Sequence, residues 1–183
     1  DSIALFLPTY GMYKVTADTH NVAINSLTQA LLLDGSVDEI VKAVGNSKLV
    51  FICNPNNPTG SLTPLNKVKA IATALAGKAL VIVDEAYIEF CPEQSATALI
   101  NEFSNVVVLR TLSKAFALAG LRTGFTLAQQ SVLAPIRKVI APYPVSGVVA
   151  SIAAQAIAPD AITSMRRQVT ILNSLKAKLV QWL

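Results

Sequence analysis

Short apolar runs alternate along this chain with longer segments in which apolar and polar residues are mixed. Four runs have a continuously apolar centre, which is typical of strands buried on both faces of a sheet. They are IALFLP (3–8), KLVFICN (48–54), ALVIVDE (79–85) and NVVVLRT (105–111), with VAINSL (22–27) and RTGFTLA (122–128) as weaker candidates. The segments 10–18, 36–44, 62–77 and 94–102 between them are predicted as helices. This alternation predicts an α/β fold, a three-layer α-β-α arrangement around a mostly parallel sheet.

The pattern changes after Gln130, where helices are predicted over 131–140, 145–157 and 160–183. The last of these carries an apolar stripe at helical spacing, which is typical of a surface that faces a core or a partner. The stripe comprises Ile162, Met165, Val169, Ile171, Leu172, Leu175, Leu179 and Leu183. The uncharged stretch 139–159 is long enough to span a bilayer, but prolines, a glycine and polar residues interrupt it. We therefore expect a buried loop and helix there rather than a membrane span.

Composition narrows the class of protein. The chain has 183 residues, of which 52% are hydrophobic and only 14% charged, so we expect a packed core rather than disorder. The net charge of +4 is spread thinly and forms no basic patch, which argues against nucleic-acid binding. Cys53 and Cys91 lack CxxC spacing and His20, the only histidine, is remote from both, so no metal site is expected. Reduced thiols and the lack of a signal-peptide pattern favour a cytoplasmic protein.

Polar and aromatic residues follow each of the four strong strands. Ligands of open α/β sheets bind beyond the carboxyl ends of the strands, so these residues are candidates for a site. They are Tyr10 after the first strand, Asn54, Asn56 and Asn57 in NPNNPTG after the second, Asp84, Glu85 and Tyr87 after the third, and Thr111, Ser113, Lys114 and Arg122 after the fourth. The carboxyl ends of parallel strands share one edge, so we expect these side chains to converge.

Each candidate also has an ordinary structural explanation. The asparagines could cap the next helix, although capping needs only one of them. Asp84 could be a helix cap or a solvated loop acid, and Lys114 a surface lysine. Arg122 could form a structural salt bridge, and Tyr10 could pack on the following helix. The residues alone leave these alternatives open.

Taken together, the candidates suit one ligand. An amine, a carboxylate, two phenols, an amide, hydroxyls and a guanidinium match a planar, phosphorylated pyridine aldehyde. Lysine amines bond covalently to aldehydes, and a carboxylate can pair with a protonated ring nitrogen. Hydroxyls and a guanidinium bind phosphate.

The motifs CNPNNPTG, VDEAYIEF and RTLSKAFALAGLRTGF resemble, in order and spacing, those of fold-type I aminotransferases that depend on pyridoxal 5'-phosphate (PLP). Within that family, PTYGMYKV, DEAYIEFCP and KVIAPYPVS resemble the histidinol-phosphate aminotransferases of bacterial histidine biosynthesis. The resemblance covers essentially the whole chain. It implies the fold of the PLP-dependent transferase large domain and a homodimer. It also implies transamination of L-histidinol phosphate with 2-oxoglutarate, giving imidazole-acetol phosphate and glutamate.

The resemblance also implies a role for each matching residue. Lys114 would bind the cofactor aldehyde and then act as the base that moves the substrate proton, and burial beside Arg122 would favour the neutral amine that this step requires. Asp84 would pair with the pyridine nitrogen. Tyr87 and Asn57 would hydrogen-bond the phenolic oxygen of the ring, and Tyr10 would stack on its face. The phosphate would be held by Thr111, Ser113 and Arg122.

The chain is shorter than members of this family, which also have an N-terminal arm, an early glycine-containing loop and a C-terminal small domain. We therefore expect a large-domain fragment, with an incomplete PLP-binding domain over 1–158 and a helix over 159–183 that leads towards a missing small domain. Two alternatives stay open at this point. The substrate could be another amine, such as an aromatic amino acid, or the fragment could be catalytically incompetent and act only through assembly.

Overall fold

The computed structural model describes residues 1–182. Its strands are β1 (Ser2–Leu7), β2 (Ala23–Thr28), β3 (Leu49–Cys53), β4 (Leu80–Asp84), β5 (Val106–Thr111) and β6 (Gly124–Ala128). Its helices are α1 (Met12–Thr19), α2 (Gln29–Asp34), α3 (Val37–Val44), α4 (Leu65–Ala74), α5 (Gln130–Val139), α6 (Gly147–Ala156) and α7 (Pro159–Trp182). Short 3₁₀ turns lie at Ile88–Phe90, Pro92–Gln94, Ala96–Leu99 and Ala119–Leu121.

One six-stranded sheet organises the chain, in the order β2-β1-β3-β4-β5-β6. The first five strands are parallel, and β6 runs antiparallel to β5. The predicted α/β class with a mostly parallel sheet is therefore confirmed. The register aligns Cys53 with Asp84 and Asp84 with Leu109. Because β3 and β4 end at the same height and β5 continues to Thr111, two residues further, the segments that follow them begin close together.

The two faces of the sheet are covered unequally. On one face, α2, α3 and α4 pack on the strands and form the larger core cluster, with fully buried Leu32, Ile40 and Ile71. On the other face, α1 covers β1 and β3 in a smaller cluster that includes Leu5 and Tyr13. The continuous apolar strands are explained by burial on both faces. Further along the second face, a groove of about 560 Å³ runs between the sheet and α5.

Local sequence explains the best-defined helix start. Ser36 accepts a hydrogen bond from the amide of Glu39, and the Glu39 carboxylate accepts one from the amide of Ser36 at 2.8 Å. This capping box satisfies two amides that the first turn would otherwise leave free. The helix ends at Gly45, whose φ of 57° suits a residue without Cβ.

Two elements differ from the sequence expectation. The predicted helix 94–102 is wrong: the segment forms 3₁₀ turns, because Glu85 accepts hydrogen bonds from the Ser95 hydroxyl and the Ala96 amide and holds the chain against the end of β4. Helix α2 is not predicted, since its six residues are too few for a clear period. The weaker strand candidates 22–27 and 122–128 correspond to β2 and β6.

The apolar segment near the chain end is exposed rather than buried. Ala153 is the one buried residue of α6, and Tyr143 is 94% exposed, so the expected buried loop and helix is wrong for this chain. The stripe on α7 is exposed from Ile171 to Leu179, whereas Val169 is buried and Ile162 and Met165 are half-buried. Within residues 1–182 the helix is contacted mainly by α6 and the turn Ile88–Phe90. Leu183 of that stripe lies outside the described residues.

Within residues 1–182, each helix taken alone is too short or too polar to cross a bilayer. Helices α6 and α7 together meet the length and composition criteria, but they are bent by 66° relative to each other.

Candidate active site

A cavity of about 280 Å³ lies beyond the carboxyl ends of the central strands. All eight residues to which the family resemblance assigns a cofactor or catalytic role line it. They are Tyr10, Asn57, Asp84, Tyr87, Thr111, Ser113, Lys114 and Arg122. The sheet register causes this convergence, because neighbouring strands deliver their following residues to one edge. The Asn54 amide donates to the Asp84 carbonyl at 2.8 Å, and the Glu85 amide donates to the Leu109 carbonyl at 2.9 Å.

Asp84, the last residue of β4, has both carboxylate oxygens occupied. Oδ2 accepts a hydrogen bond from the Tyr13 hydroxyl at 2.5 Å, and Oδ1 accepts from the Ala86 amide at 3.0 Å. Among the residues described, Asp84 has no cationic partner within ion-pair distance. Its orientation is therefore set by two neutral donors, which leaves its charge uncompensated beside the cavity.

Tyr13 is a site residue that the sequence reasoning did not assign. Burial, and then the negative charge of Asp84, raise the pKa of the Tyr13 phenol far above its ordinary value. The phenol therefore stays protonated and keeps donating to Asp84. Its ring stacks on Phe51 at 4.9 Å and meets the edge of Tyr10 at 5.5 Å. The available signal was its spacing, since residues three apart at a helix start share a face.

The three asparagines of NPNNPTG separate into two groups. Asn54 is 1% exposed and bridges the turn, donating to the Thr63 carbonyl and accepting from the Thr63 amide. Asn56 is also buried and donates to the Pro8 carbonyl, which joins the turn to the end of β1. Only Asn57 reaches the cavity, where its amide donates to the Tyr87 hydroxyl at 3.4 Å. The first two are therefore structural.

This division predicts different stability effects. Asn54→Ala should lower the free energy of unfolding by about 2–4 kcal/mol, because it leaves both backbone groups of Thr63 buried without partners. Asn57→Ala removes one long hydrogen bond from a half-buried position and should cost less than about 1 kcal/mol. Urea denaturation followed by circular dichroism measures both. Equal losses for the two variants would contradict the division.

Lys114 follows β5 in an irregular segment and points its ammonium at an aromatic face. Nζ lies 5.3 Å from the centroid of the Tyr87 ring. In the described part of the chain this amine has no hydrogen bond and no ion pair, only the ring. The expected burial of Lys114 is wrong, since the residue is exposed at the cavity mouth. No described element covers the segment, which leaves the amine accessible.

Hydroxyls and a guanidinium form the remaining wall. The Thr111 hydroxyl donates to the Ser113 hydroxyl at 3.0 Å, and the Ser113 amide donates back to Thr111 at 3.1 Å. Arg122 has left-handed backbone angles (φ 54°, ψ 39°), a costly conformation that turns the chain back to the cavity. Its Nη1 donates to the Ala119 carbonyl at 2.9 Å. The rest of its exposed guanidinium faces the cavity and solvent.

The acid that forms an ion pair at the end of β4 is the buried Glu85, the residue after Asp84. Arg110 Nε donates to its Oε2 at 2.7 Å. Cys53 also lines the cavity, and burial raises the pKa of its thiol. Both cysteines are free, and residues 1–182 contain no group of three His, Cys, Asp or Glu side chains placed to hold a metal ion.

Comparison with known proteins identifies relatives over the whole chain. The family described as aminotransferase class I and II matches residues 1–183. The histidinol-phosphate aminotransferase of Shewanella amazonensis is 52% identical over 98% of this chain and 50% of its own length. That of Serratia proteamaculans is 47% identical over 99% of this chain and 50% of its own length. The chain thus spans about half the length of the curated relatives it matches.

Solved structures have the same fold. The histidinol-phosphate aminotransferase of Clostridium acetobutylicum superposes with a TM-score of 0.87 at 25% identity, over 99% of this chain and 55% of that chain. The Sinorhizobium meliloti enzyme, solved in complex with pyridoxal-5'-phosphate, gives 0.76 at 30% identity, over 93% and 46%. A family match over every residue, together with these likenesses, shows that the chain belongs to the class I and II aminotransferases.

Proposed function

We propose that this chain binds pyridoxal 5'-phosphate in the cavity beyond β3, β4 and β5, as part of an enzyme that transfers an amino group. The observation that carries the proposal is the convergence of the eight cavity residues from four separate segments of the chain. The same cofactor is bound by the Sinorhizobium meliloti relative. Each of the four segments alone has an ordinary structural explanation, but their meeting in one cavity does not.

The donor set fits this cofactor. Considering residues 1–182 alone, the cavity offers the carboxylate of Asp84 without a cationic partner, the amine of Lys114 without a hydrogen bond or ion pair, and most of the guanidinium of Arg122. These groups match the three polar parts of the cofactor. The carboxylate suits a protonated ring nitrogen, the amine suits an aldehyde, and the guanidinium suits a phosphate. When bound, the cofactor supplies an aldehyde and a ring that withdraws electrons from the reacting carbon.

Each residue then has a defined task. Lys114 would hold the cofactor covalently through Nζ, and once the substrate amine had displaced it, the freed Lys114 amine would take the proton from the substrate carbon that bears nitrogen. Asp84 keeps the ring nitrogen protonated, because a nearby carboxylate favours the cationic form. Tyr13 and the Ala86 amide hold that carboxylate in one orientation.

The other cavity residues hold the ring in place. Tyr87 and Asn57, already hydrogen-bonded to each other, donate to the phenolic oxygen of the ring. Tyr10, supported edge-on by Tyr13, covers one face of the ring. The Thr111 and Ser113 hydroxyls and the Arg122 guanidinium bind the phosphate.

The proposed substrates are L-histidinol phosphate and 2-oxoglutarate, with imidazole-acetol phosphate and glutamate as products. This choice rests on the names of the relatives at 47–52% identity. We further propose a cytoplasmic homodimer. Residues 1–158 would form the PLP-binding domain, and α7 would lead to a small domain in the remaining half of the relatives' length.

The experiment is a spectral titration of the purified chain. Adding pyridoxal 5'-phosphate should produce the visible absorbance of a lysine-bound cofactor. L-Histidinol phosphate should then bleach this absorbance, and 2-oxoglutarate should restore it. A panel with L-tyrosine, L-phenylalanine and L-histidinol provides the comparison. Equal bleaching by an aromatic amino acid would overturn the substrate assignment, and no absorbance with the cofactor alone would overturn the cofactor assignment.

A further inference from the structure

A cluster of buried charges lies directly behind the cavity. We call it the Arg110 cluster, and it comprises Glu85, Glu89, Ser95, Ala96 and Arg110. Arg110 donates from all three guanidinium nitrogens: Nε to Glu85 at 2.7 Å, Nη1 to Glu89 at 3.0 Å and Nη2 to the Ser95 hydroxyl at 3.0 Å. Glu85 also accepts from the Ser95 hydroxyl at 3.0 Å and from the Ala96 amide at 2.5 Å.

The two acids of this cluster depend on Arg110. The Glu85 side chain is 0% exposed and that of Glu89 is 9% exposed, whereas Arg110 is 25% exposed. Burial raises the pKa of both carboxyl groups, and Arg110 acts in the opposite direction. Two buried carboxylates share one cation, so removal of that cation would leave both uncompensated. The cluster therefore holds together as a unit.

Three residues of the cluster are adjacent or nearly adjacent in the sequence to residues of the cavity wall. Glu85 directly follows Asp84, Glu89 lies two residues after Tyr87, and Arg110 directly precedes Thr111. Hydrogen bonds within the cluster therefore constrain the chain on either side of those cavity residues. No other ion pair among the described residues connects the segment after β4 with the end of β5.

We propose that Arg110 is a positioning residue of the cofactor site, which sets the placement of the segment after β4 relative to the end of β5, and is not a phosphate ligand. Arg110 also lines the cavity, so a direct contact with the phosphate is the competing role. Each of its three nitrogens already donates to a protein acceptor, which fixes the guanidinium and leaves two of its five N–H groups. Arg122, in contrast, commits Nη1 alone, to the Ala119 carbonyl. The proposal rests on the proposed cofactor.

Comparing a phosphorylated ligand with one that lacks the phosphate distinguishes a positioning role of Arg110 from direct binding of the phosphate. Dissociation constants are measured for pyridoxal 5'-phosphate and for pyridoxal, which lacks the phosphate. Arg110→Lys keeps the positive charge but loses the fork that reaches three acceptors, and Glu85→Gln removes one of the two carboxylates that pair with Arg110. Both variants should therefore weaken both ligands by a similar factor, about tenfold or more. Arg122→Gln should weaken only the phosphorylated ligand. A loss confined to that ligand in Arg110→Lys would make Arg110 a phosphate ligand, and no loss for either ligand would remove the positioning role.

Amide hydrogen exchange tests the cluster without any ligand. Arg110→Lys and Glu85→Gln should speed exchange within residues 84–90 and 111–114, while α3 and α4 keep their protection. Uniformly faster exchange would indicate general destabilisation and would overturn the proposal. The exchange experiment tests the role of Arg110 even if the wild-type chain binds neither ligand. Absence of binding by the wild-type chain would instead reject the proposed function. If Arg110→Lys fails to fold, Glu89→Gln is tested in its place, because it removes the charge from only one of the acceptors of Arg110.

Two controls match these variants. Glu102→Gln breaks the exposed Lys69–Glu102 pair, which has a similar distance of 2.6 Å and lies away from the cavity. It should change neither affinity nor exchange at the cavity, because exposed pairs contribute little. Ile71→Val lowers stability from the larger core, which includes Ala96 but none of the three charged residues of the Arg110 cluster. If Ile71→Val reproduced the affinity losses, the effect of Arg110 would be a matter of global stability.

Discussion

Lys114→Ala is expected to abolish covalent binding of pyridoxal 5'-phosphate by this chain. Lys114 supplies the amine at the cavity that is free of hydrogen bonds and ion pairs within residues 1–182. Any turnover should fall by at least about 10²–10⁴-fold, the contribution of a positioned base, with the loss of the covalent anchor added to it. Absorbance spectra, and mass spectrometry after borohydride reduction, measure the attachment and its position.

Stability should hardly change in the same variant. The side chain is exposed and makes only the contact with the Tyr87 ring, so the free energy of unfolding should shift by about 0.5–1 kcal/mol at most. Lys138→Ala, on the exposed surface of α5, is the matched control and should keep full attachment. Attachment that persisted in Lys114→Ala, or a label found on another lysine, would exclude Lys114 as the anchor.

Asp84→Asn should have the second largest effect. The substitution keeps the shape of the side chain but removes the charge that holds the ring nitrogen protonated. Hydrogen bonds to charged groups contribute about 1.5–3 kcal/mol, so we expect the amino-transfer half reaction to slow by at least about 10–100-fold. Stopped-flow absorbance with L-histidinol phosphate measures this rate. Asp38→Asn, an exposed acid in the first turn of α3, is the control.

The same substitution has a readout that needs no cofactor. The charge of Asp84 is one of the causes that raise the pKa of Tyr13, so its removal should lower that pKa towards the ordinary value. Burial is the larger cause, and the pKa should therefore stay above that of an exposed tyrosine. Ultraviolet titration of the tyrosines measures the change. A half reaction as fast in Asp84→Asn as in Asp38→Asn would remove Asp84 from the mechanism.

Much of the site could be predicted from the sequence, because the ends of strands can be recognised from the local pattern of residues. The apolar runs that became β3, β4 and β5 end close to their predicted positions, and residues after parallel strands must meet at one edge. Lys114 and Asp84 line one cavity for this reason. Their catalytic roles stay predictions until the variants above are measured.

Other features depend on contacts between distant segments. The segment 94–102 has a helical pattern, but Glu85 captures Ser95 and Ala96 and forces 3₁₀ turns. Local sequence gives no reason for Arg110 to choose Glu85, since 25 residues separate them. The exposure of α6 likewise contradicts its apolar sequence. Composition specifies that a surface is apolar, but not what packs against it.

The amino-acid sequence alone determined which strands form, that they run mostly parallel, and which side chains stand at their carboxyl ends, since hydrophobic periodicity and turn chemistry are local properties. Tertiary structure decided the hydrogen-bond partners. Tyr13 donates to Asp84 and Arg110 donates to Glu85. Asn54 binds the backbone of Thr63 and does not reach the cavity. It also decided that Lys114 is exposed. Hydrogen bonds and burial at these positions join residues far apart in the chain, and only the packed sheet sets those distances.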